Sequence, residues 1–440
     1  MSELKDMTKG SPYKLLISFA LPMFLGNIFQ QIYNLVDTVV VGKFVGKEAL
    51  AAVGSSFAIM LLINSVIMGL TMGASVLFSQ LYGSGEYKKL KVSIIMAAFL
   101  ILSVTLLISS IAFFATDLIN KLYRMPEETT GYARDYLRWI FAGLFFVSLY
   151  NLAANILRSL GDSKTLLYFL LLASVINIVL DLLFVIKYGL EVKGVAIATV
   201  IAQAVSAILC VLVTARKLSY LSFKKEDFTY DRILFKTMTK YAFLTGIQQS
   251  IMNFGIVMIQ GLVNTFGTSL MAAFAAGVKV DAFAYIPLQD FGNAFAIYTA
   301  QNIGANKGER VREGLRAAAI IIGVFGIFIS LVVILAAENL IGLFVKASEL
   351  DVIAIGANYL RIEGAFYVLI GFLFMFYGFY RGLGKAGMSI VLTVVSLGSR
   401  VLISYGLVAS LGYSIIFWAI PLGWLLADVT GLLYWKYLNK

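Results

Sequence analysis

Residues 20–42, ALPMFLGNIFQQIYNLVDTVVVG, hold one carboxylate, Asp37, inside an apolar run long enough to cross a bilayer as a helix. The rest of the chain has the same character: 60% of its residues are hydrophobic and 13% charged, against about 45–50% and about 25% in a soluble domain. Lipid is therefore the main solvent for this protein. A carboxylate at mid-span costs roughly 2.5–3.5 kcal/mol on insertion scales, and such residues usually face a cavity or a partner. Asp37 is the first functional candidate on that ground.

Working outward, apolar runs of about 20 residues account for nearly all of the 440 positions and leave no room for a separate soluble domain. They fall near 14–41, 50–80, 92–115, 135–157, 165–186, 194–214, 239–264, 270–300, 316–337, 356–380, 388–409 and 413–435. These are about twelve spans of an all-α integral membrane protein. The first run is too long for a signal-peptide core and has no small-residue cleavage site, so it stays as span 1.

The net charge of +11 comes from the way Lys and Arg flank the spans and does not point to nucleic acid. Lys5, Lys9, Lys14, Lys88, Lys89, Lys91, Arg158, Lys164, Lys307, Arg310, Arg312, Arg316, Arg381 and Lys385 crowd one side, together with the basic stretch after Thr214. The positive-inside rule then puts both termini in the cytoplasm of a plasma membrane protein. Cys210 is the only cysteine and there is no His, which excludes an internal disulfide, structural zinc and His-dependent catalysis. No cofactor is expected.

The chain also repeats itself. The pieces 50-LAAV and 79-SQLYGSG recur as 271-MAAF and 300-AQNIGAN, displaced by 221 positions. The pieces 136-YLRW and 157-LRSLGDSK recur as 359-YLRI and 380-YRGLGKAG, displaced by 223. Two matches at nearly one offset indicate a duplicated unit of six helices, and an even number of spans relates the copies by an axis along the membrane normal. Residues 1–214 form the N-terminal lobe, 215–239 a cytoplasmic linker and 240–440 the C-terminal lobe. Arg216, Lys217, Lys224, Lys225, Glu226 and Asp227 mark that linker by breaking the apolar pattern.

Helical spacing lines up Asn27, Gln30, Asn34 and Asp37, with Tyr33, along one side of span 1, and Ser174, Asn177 and Asp181 along one side of span 5. A polar stripe does not face lipid. Both Asp residues fall in the outer half of spans running the same way, so they can meet at one depth. Two carboxylates with an amide and a hydroxyl make a hard-oxygen site for a small cation or a shared proton; the blander alternative is that both acids lie near the interface and reach water. Pro22, Pro287 and Pro421 each remove an N–H inside a span and mark expected bends, with Pro22 as a hinge below the span 1 stripe.

These pieces together resemble the multidrug and toxic compound extrusion (MATE) transporters. The resemblance rests on 20-ALP, 34-NLVDTVVVGKFVG, the Q-x-x-G loops at Gln80 and Gln301, and the LRSLGD and YRGLGK turns, in order within two halves. It implies two six-helix lobes related by pseudo-two-fold symmetry around a V-shaped central cavity. The implied activity is exchange of organic, often cationic, amphipathic compounds for H+ or Na+, with the bilayer and the cargo as the only partners of a monomer. In one prokaryotic branch the coupling cation binds in the N-terminal lobe, and the matching residues here are Asp37, Asn177, Asp181 and Thr199, which would also be the ligands of Na+. Substrate contact is implied for Gln30, Tyr33 and Asn34, and for Asn151 and Asn155 in span 4, although interhelical hydrogen bonding is an equal reading of that last pair. The branch with coupling acids in spans 7 and 10 fits less well, since 245-TGIQQSIMNFG has no carboxylate.

The C-terminal lobe has charges of its own: Lys279, Asp281 and Asp290 in span 8, Glu363 in span 10, Arg400 in span 11 and Asp428 in span 12. Charges in membranes usually pair, so a structural salt-bridge network of Lys279, Asp281, Asp290, Glu363 and Arg400 is preferred to a second ion site. By the repeat offset Arg400 takes the position of Asn177. A flippase for a lipid-linked or other amphipathic substrate is the alternative function, and it requires a cavity lined with Arg or Lys. An enzyme is disfavoured, because no nucleophile with a base and no metal-ligand set appears.

Overall fold

The structure, a computed structural model, describes residues 5–123, 125–219, 225–346 and 348–438. Part of the expected linker, residues 220–224 including Lys224, lies outside the described residues. The described residues form helices and no strand: α1 (Pro12–Val40), α2 (Lys47–Gly83), α3 (Tyr87–Phe114), the short α4 (Thr116–Leu122), α5 (Glu127–Ser159), α6 (Lys164–Leu182) and α7 (Glu191–Lys217). The second half continues with α8 (Arg232–Val263), α9 (Thr268–Gly304), α10 (Gly308–Gly342), α11 (Leu350–Gly364), α12 (Tyr367–Gly382), α13 (Ala386–Leu411) and α14 (Ser414–Leu438). Among the described residues eleven helices are long and apolar enough to cross a membrane, and α11 with α12, bent by 52°, makes a twelfth if the pair is one span.

That bend stands apart from the positions marked by proline. Pro22, Pro287 and Pro421 each sit within an uninterrupted helix, whereas span 10 breaks where there is no proline. The Ala365 N–H donates to the Arg361 carbonyl and the Phe366 N–H to the Glu363 carbonyl at 3.0 Å; the Leu369 N–H then bonds Phe366 and restarts the chain as α12. A tight turn of backbone hydrogen bonds carries the chain through the break.

The duplication is visible in the backbone. Helices α2 and α9 are both 37 residues long, with starts and ends 221 positions apart. The unbroken α5 has as its counterpart the α11–α12 pair, displaced by 223 at both ends. Left-handed turn residues repeat at the same offsets: Gly46 with Gly267, Gly85 with Asn306, Gly161 with Gly384, and Gly189 with Gly412. Glycine, and Asn less readily, takes that conformation without a steric penalty, so turn chemistry was copied with the helices.

Two compact units emerge, one comprising Leu21–Gly246 with Lys5 and Asp6, the other Met7–Ala20 with Ile247–Lys440. The division crosses α1 beside Pro22 and crosses α8 at Gly246. In the first unit α5 is the interior helix, packed by α2, α3 and α7. Helix α8 comes very close to α2 there: a Cβ added at Gly69 would lie 2.3 Å from the Gly246 Cα, and one at Gly73 2.3 Å from the Tyr241 carbonyl. Small residues let helix backbones approach closely where lipid supplies no hydrophobic drive. In the second unit α12 is central, against α9, α10, α13 and α14.

One buried ion pair anchors the α5–α6 turn of the first unit. Asp162 accepts from the Thr165 N–H at 3.1 Å, capping α6, and pairs with Lys217 at the end of α7; the two side chains are 1% and 7% exposed. At this burial the pair is an all-or-nothing interaction, costly if one partner is removed.

Candidate functional site

The polar side chains of the first unit converge near the C-terminal ends of α1 and α6. Each of these helices passes from α into a short π-helical turn soon after its acid, Val41–Val45 after Asp37 and Leu183–Lys187 after Asp181, and the two turns pack together. Turns of this kind widen the helix and are frequent at functional sites. Ser174 ties the helices further down, its hydroxyl donating to the Leu170 carbonyl at 2.8 Å and toward the Phe29 carbonyl of α1 at 3.4 Å.

Asp37 of α1 and Asp181 of α6 are neighbours, each within electrostatic reach of the other. Asp181 is fully buried and Asp37 half-buried. One turn before Asp181, Asn177 donates its amide nitrogen to the Thr199 hydroxyl of α7 at 3.3 Å, and that hydroxyl donates to the Val195 carbonyl at 2.9 Å. The pairing leaves Asn177 with its carbonyl oxygen free. The consequence is a set of four buried acceptors, Asp37 Oδ1, both Asp181 oxygens and Asn177 Oδ1, with no hydrogen-bond donor among the described residues. A buried polar atom left in that condition costs about 1–3 kcal/mol, more when charged, so the arrangement is suited to hold a positive charge.

The substrate residues expected on span 1 divide by exposure. Tyr33 is buried and its hydroxyl accepts from the Gln30 amide at 3.5 Å, while Asn34 is exposed. Asn151 and Asn155 do not join them. Asn151 bonds the Val147 carbonyl, and the buried Asn155 donates to the Thr71 hydroxyl of α2 at 3.2 Å and to the Asn151 carbonyl. Here the geometry is that of an interhelical tie.

Two residues escaped the sequence reading. Gln203 on α7 reaches the Tyr33 hydroxyl, and Tyr136 on α5 lies within electrostatic reach of Asp37, Tyr33 and Asp181. Gln203 is four residues beyond Thr199 and helical arithmetic alone would have found it. Tyr136 belongs to the repeated 136-YLRW piece and lies one turn after Tyr132, a spacing that could have marked it.

The charge network expected in the other unit takes a different form. Lys279 is exposed and its ammonium sits over the Phe344 ring at 5.6 Å, a placement that keeps the charge wet. Asp281 and Glu363 are buried, but tyrosine hydroxyls hold them instead of cations, and Arg400 is near Glu363 without a salt bridge to it among the described residues. Asp290 is buried nine positions further along α9. Hydroxyls satisfy a carboxylate in a dry lobe without also desolvating a second ion.

Comparison with known proteins places this geometry in context. The sequence profile described as MatE matches residues 22–183 and 242–406. The chain is 29% identical to the "Probable multidrug resistance protein YpnP" of Bacillus subtilis, over 89% of this chain and 87% of that one. It is 26% identical to a protein of Shewanella oneidensis named "FAD transporter", over 75% and 74%. Among solved structures it is similar to an outward-facing "multidrug resistance MATE family transporter of the MOP superfamily", with TM-score 0.93 and 24% identity over 99% and 98% of the two chains, a likeness of fold.

Proposed function

The chain belongs to the MatE family, whose members are multi-pass membrane transporters and not enzymes, and from that premise we propose that it is a secondary antiporter. Its cargo is organic, amphipathic and chiefly cationic, and it leaves the cell in exchange for H+ or Na+ held by Asp37, Asn177, Asp181 and Thr199. The observation that carries this reading is the nearness of two carboxyls from different helices among four acceptor oxygens with no hydrogen-bond donor among the described residues. The names of the Bacillus relative and of several staphylococcal relatives called "Multidrug export protein MepA" support the direction and the breadth of cargo.

The mechanism follows from charge. While the pair is ionised, the α1 face offers a negative field and the Tyr33 ring beside Gln30 and Asn34, which suits an organic cation. An arriving H+ or Na+ neutralises the pair, weakens that field and releases the cargo. The difference in cation affinity between the two states of the transporter drives the change between them. Tyr33, between Gln30 and Asp37, links the two sites, and Pro22 supplies the pivot in α1. We assign the protein to the plasma membrane as a monomer with both termini in the cytoplasm.

A lipid-linked or phosphate-bearing cargo fits less well. Lys279 is exposed, Arg381 is bonded to Asn293 at 2.7 Å and Arg400 is beside Glu363, so the second unit's cations are not arrayed for an anion. The test is uptake of a fluorescent organic cation into vesicles under separately imposed pH and sodium gradients. Exchange driven by either gradient supports the proposal and names the ion; exchange indifferent to both ends it.

A further inference from the structure

The residues that lead into α1 are bonded in place. Met7, the one apolar side chain in 5-KDMTKGS, is fully buried, and Thr8 is 8% exposed. The corner joining α9 to α10 holds them, chiefly by their backbone. The Met7 N–H donates to Gln301 Oε1 at 3.0 Å, and the Asn302 amide donates to the Met7 carbonyl at 3.0 Å. The Lys307 ammonium donates to the Thr8 carbonyl at 2.9 Å and to its hydroxyl at 3.3 Å, and Arg310 donates to the Gly10 carbonyl at 2.9 Å. Arg310 also bonds Asn302 at 3.2 Å, so the receiving side chains brace one another. All of these partners belong to the second unit.

The residues just before them belong elsewhere. Lys5 and Asp6 fall in the first unit, where the Lys5 carbonyl rests against Gly161 in the α5–α6 turn so closely that a Cβ there would overlap it. Gly161 has φ +87°, which glycine adopts without strain, so this approach is built into the LRSLGD turn. A single residue, Asp6, separates the two attachments. One residue of chain spans at most about 3.6 Å, so the segment has no slack to absorb a shift of several ångströms at either end.

A second observation comes from the repeat. At the offset of 221, 5-KDMT matches 226-EDFT, the stretch that leads into α8, and Gln301 of the corner matches Gln80. The copy is also anchored within its unit, but by charge. Lys91 pairs with Asp227 at 2.6 Å, with side chains 11% and 5% exposed, while Phe228, the counterpart of Met7, is 70% exposed. Duplication therefore supplied two entry segments, and the one before α1 is the one whose apolar residue goes in together with its backbone.

A hold of this kind is suited to release. Its polar groups lie at helix ends, where water replaces each bond at little net cost, and Met7 is an unbranched, pliable side chain. Resting on the two-state reading of transport, and not on the choice of ion, we propose that residues 5–10 are a strap: it is docked on the α9–α10 corner in the state described above and leaves that corner in the alternate state. Its lack of slack makes undocking a condition of the change, and its bonds to Lys307 and Arg310 set how readily the change occurs.

The test uses the full chain in lipid with Lys9→Cys and Glu309→Cys, two exposed positions beside the bonded residues; Cys210 is buried, so treated wild type is the control. Joined by a short, reversible thiol cross-linker, this protein is expected to keep binding a fluorescent organic cation, to lose exchange and to regain it on reduction, while either single variant treated alike exchanges normally. Failure to cross-link, or exchange by the cross-linked protein at the untreated rate, overturns the strap. Spin labels at the same two positions read it without transport. A short and a long separation are expected, in proportions that change when cargo or ion is added, and Lys307→Gln is expected to raise the long one about tenfold by removing one charge-assisted bond. A single short separation in every condition, unmoved by Lys307→Gln, overturns the strap and leaves the antiport reading standing. Cargo exchange indifferent to both gradients ends that reading instead, and the two separations still decide the strap.

Discussion

Replacing Asp181 by Asn keeps the size of the side chain and removes one of the two charges that face the cation. Two unit charges about 4 Å apart at an effective dielectric of about 20 interact by about 4 kcal/mol. Asp181 is fully buried, but its partner Asp37 is half-buried, so solvent reaches one side of the site and reduces the effect. A loss of about 2–3 kcal/mol is expected, equal to a cation affinity about 30- to 150-fold weaker. In proteoliposomes loaded with a fluorescent organic cation, the half-saturating concentration of the driving ion should rise by that factor, in a sodium series at fixed pH or a pH series without sodium. Exchange at saturating ion should persist, because Asp37 remains. Asp37→Asn, which removes the charge nearest to Tyr33, should abolish ion-driven exchange while cargo binding without a gradient is retained. An Asp181→Asn protein whose half-saturating concentration stays within about threefold of wild type, against the Coulombic expectation, would refute the reasoning.

Further outcomes follow from contacts elsewhere. Thr199→Val removes the acceptor that orients Asn177 and should weaken ion coupling by about tenfold, whereas Thr199→Ser, which keeps the hydroxyl, should restore it in the same exchange assay. Asp162→Ala should destabilise the protein by about 3–5 kcal/mol by removing the carboxylate that pairs with the buried Lys217 ammonium, as read by thermal unfolding in detergent, and adding Lys217→Met should recover much of that loss. Gly73→Ala should cost about 1–3 kcal/mol by forcing α2 from α8, with Gly54→Ala, which meets open space, as the neutral control. Asn155→Ala should cost only about 0.6 kcal/mol through the lost bond to Thr71 and leave the cargo profile unchanged; a narrowed profile would return Asn155 to the substrate surface.

Several of these features were legible before any coordinates. The apolar runs located all twelve spans, because the bilayer sets the length of a spanning helix and tolerates no irregular backbone facing lipid. The offsets of 221 and 223 read from short motifs reappear in the helix boundaries and in the left-handed turn residues, since each repeat carries its own turn chemistry. The polar stripes of α1 and α6 were readable because residues three and four apart must share a face. The partners of Tyr136 and Asn155 could not be found that way, because they depend on which neighbouring helix stands opposite.

The sequence by itself determined the solvent, the number of spans, the duplication and the faces on which polar groups line up, all of which depend on composition and on spacing along one helix. Tertiary structure alone decided which lined-up groups find which partners: that Asn177 is oriented by Thr199, that Lys279 stays at the surface while tyrosines take Asp281 and Glu363, and that span 10 bends at Ala365, where there is no proline. The physical reason is that hydrogen bonds and charge in a dry interior act only over a few ångströms, so their partners are chosen by packing between helices and not by position in the chain.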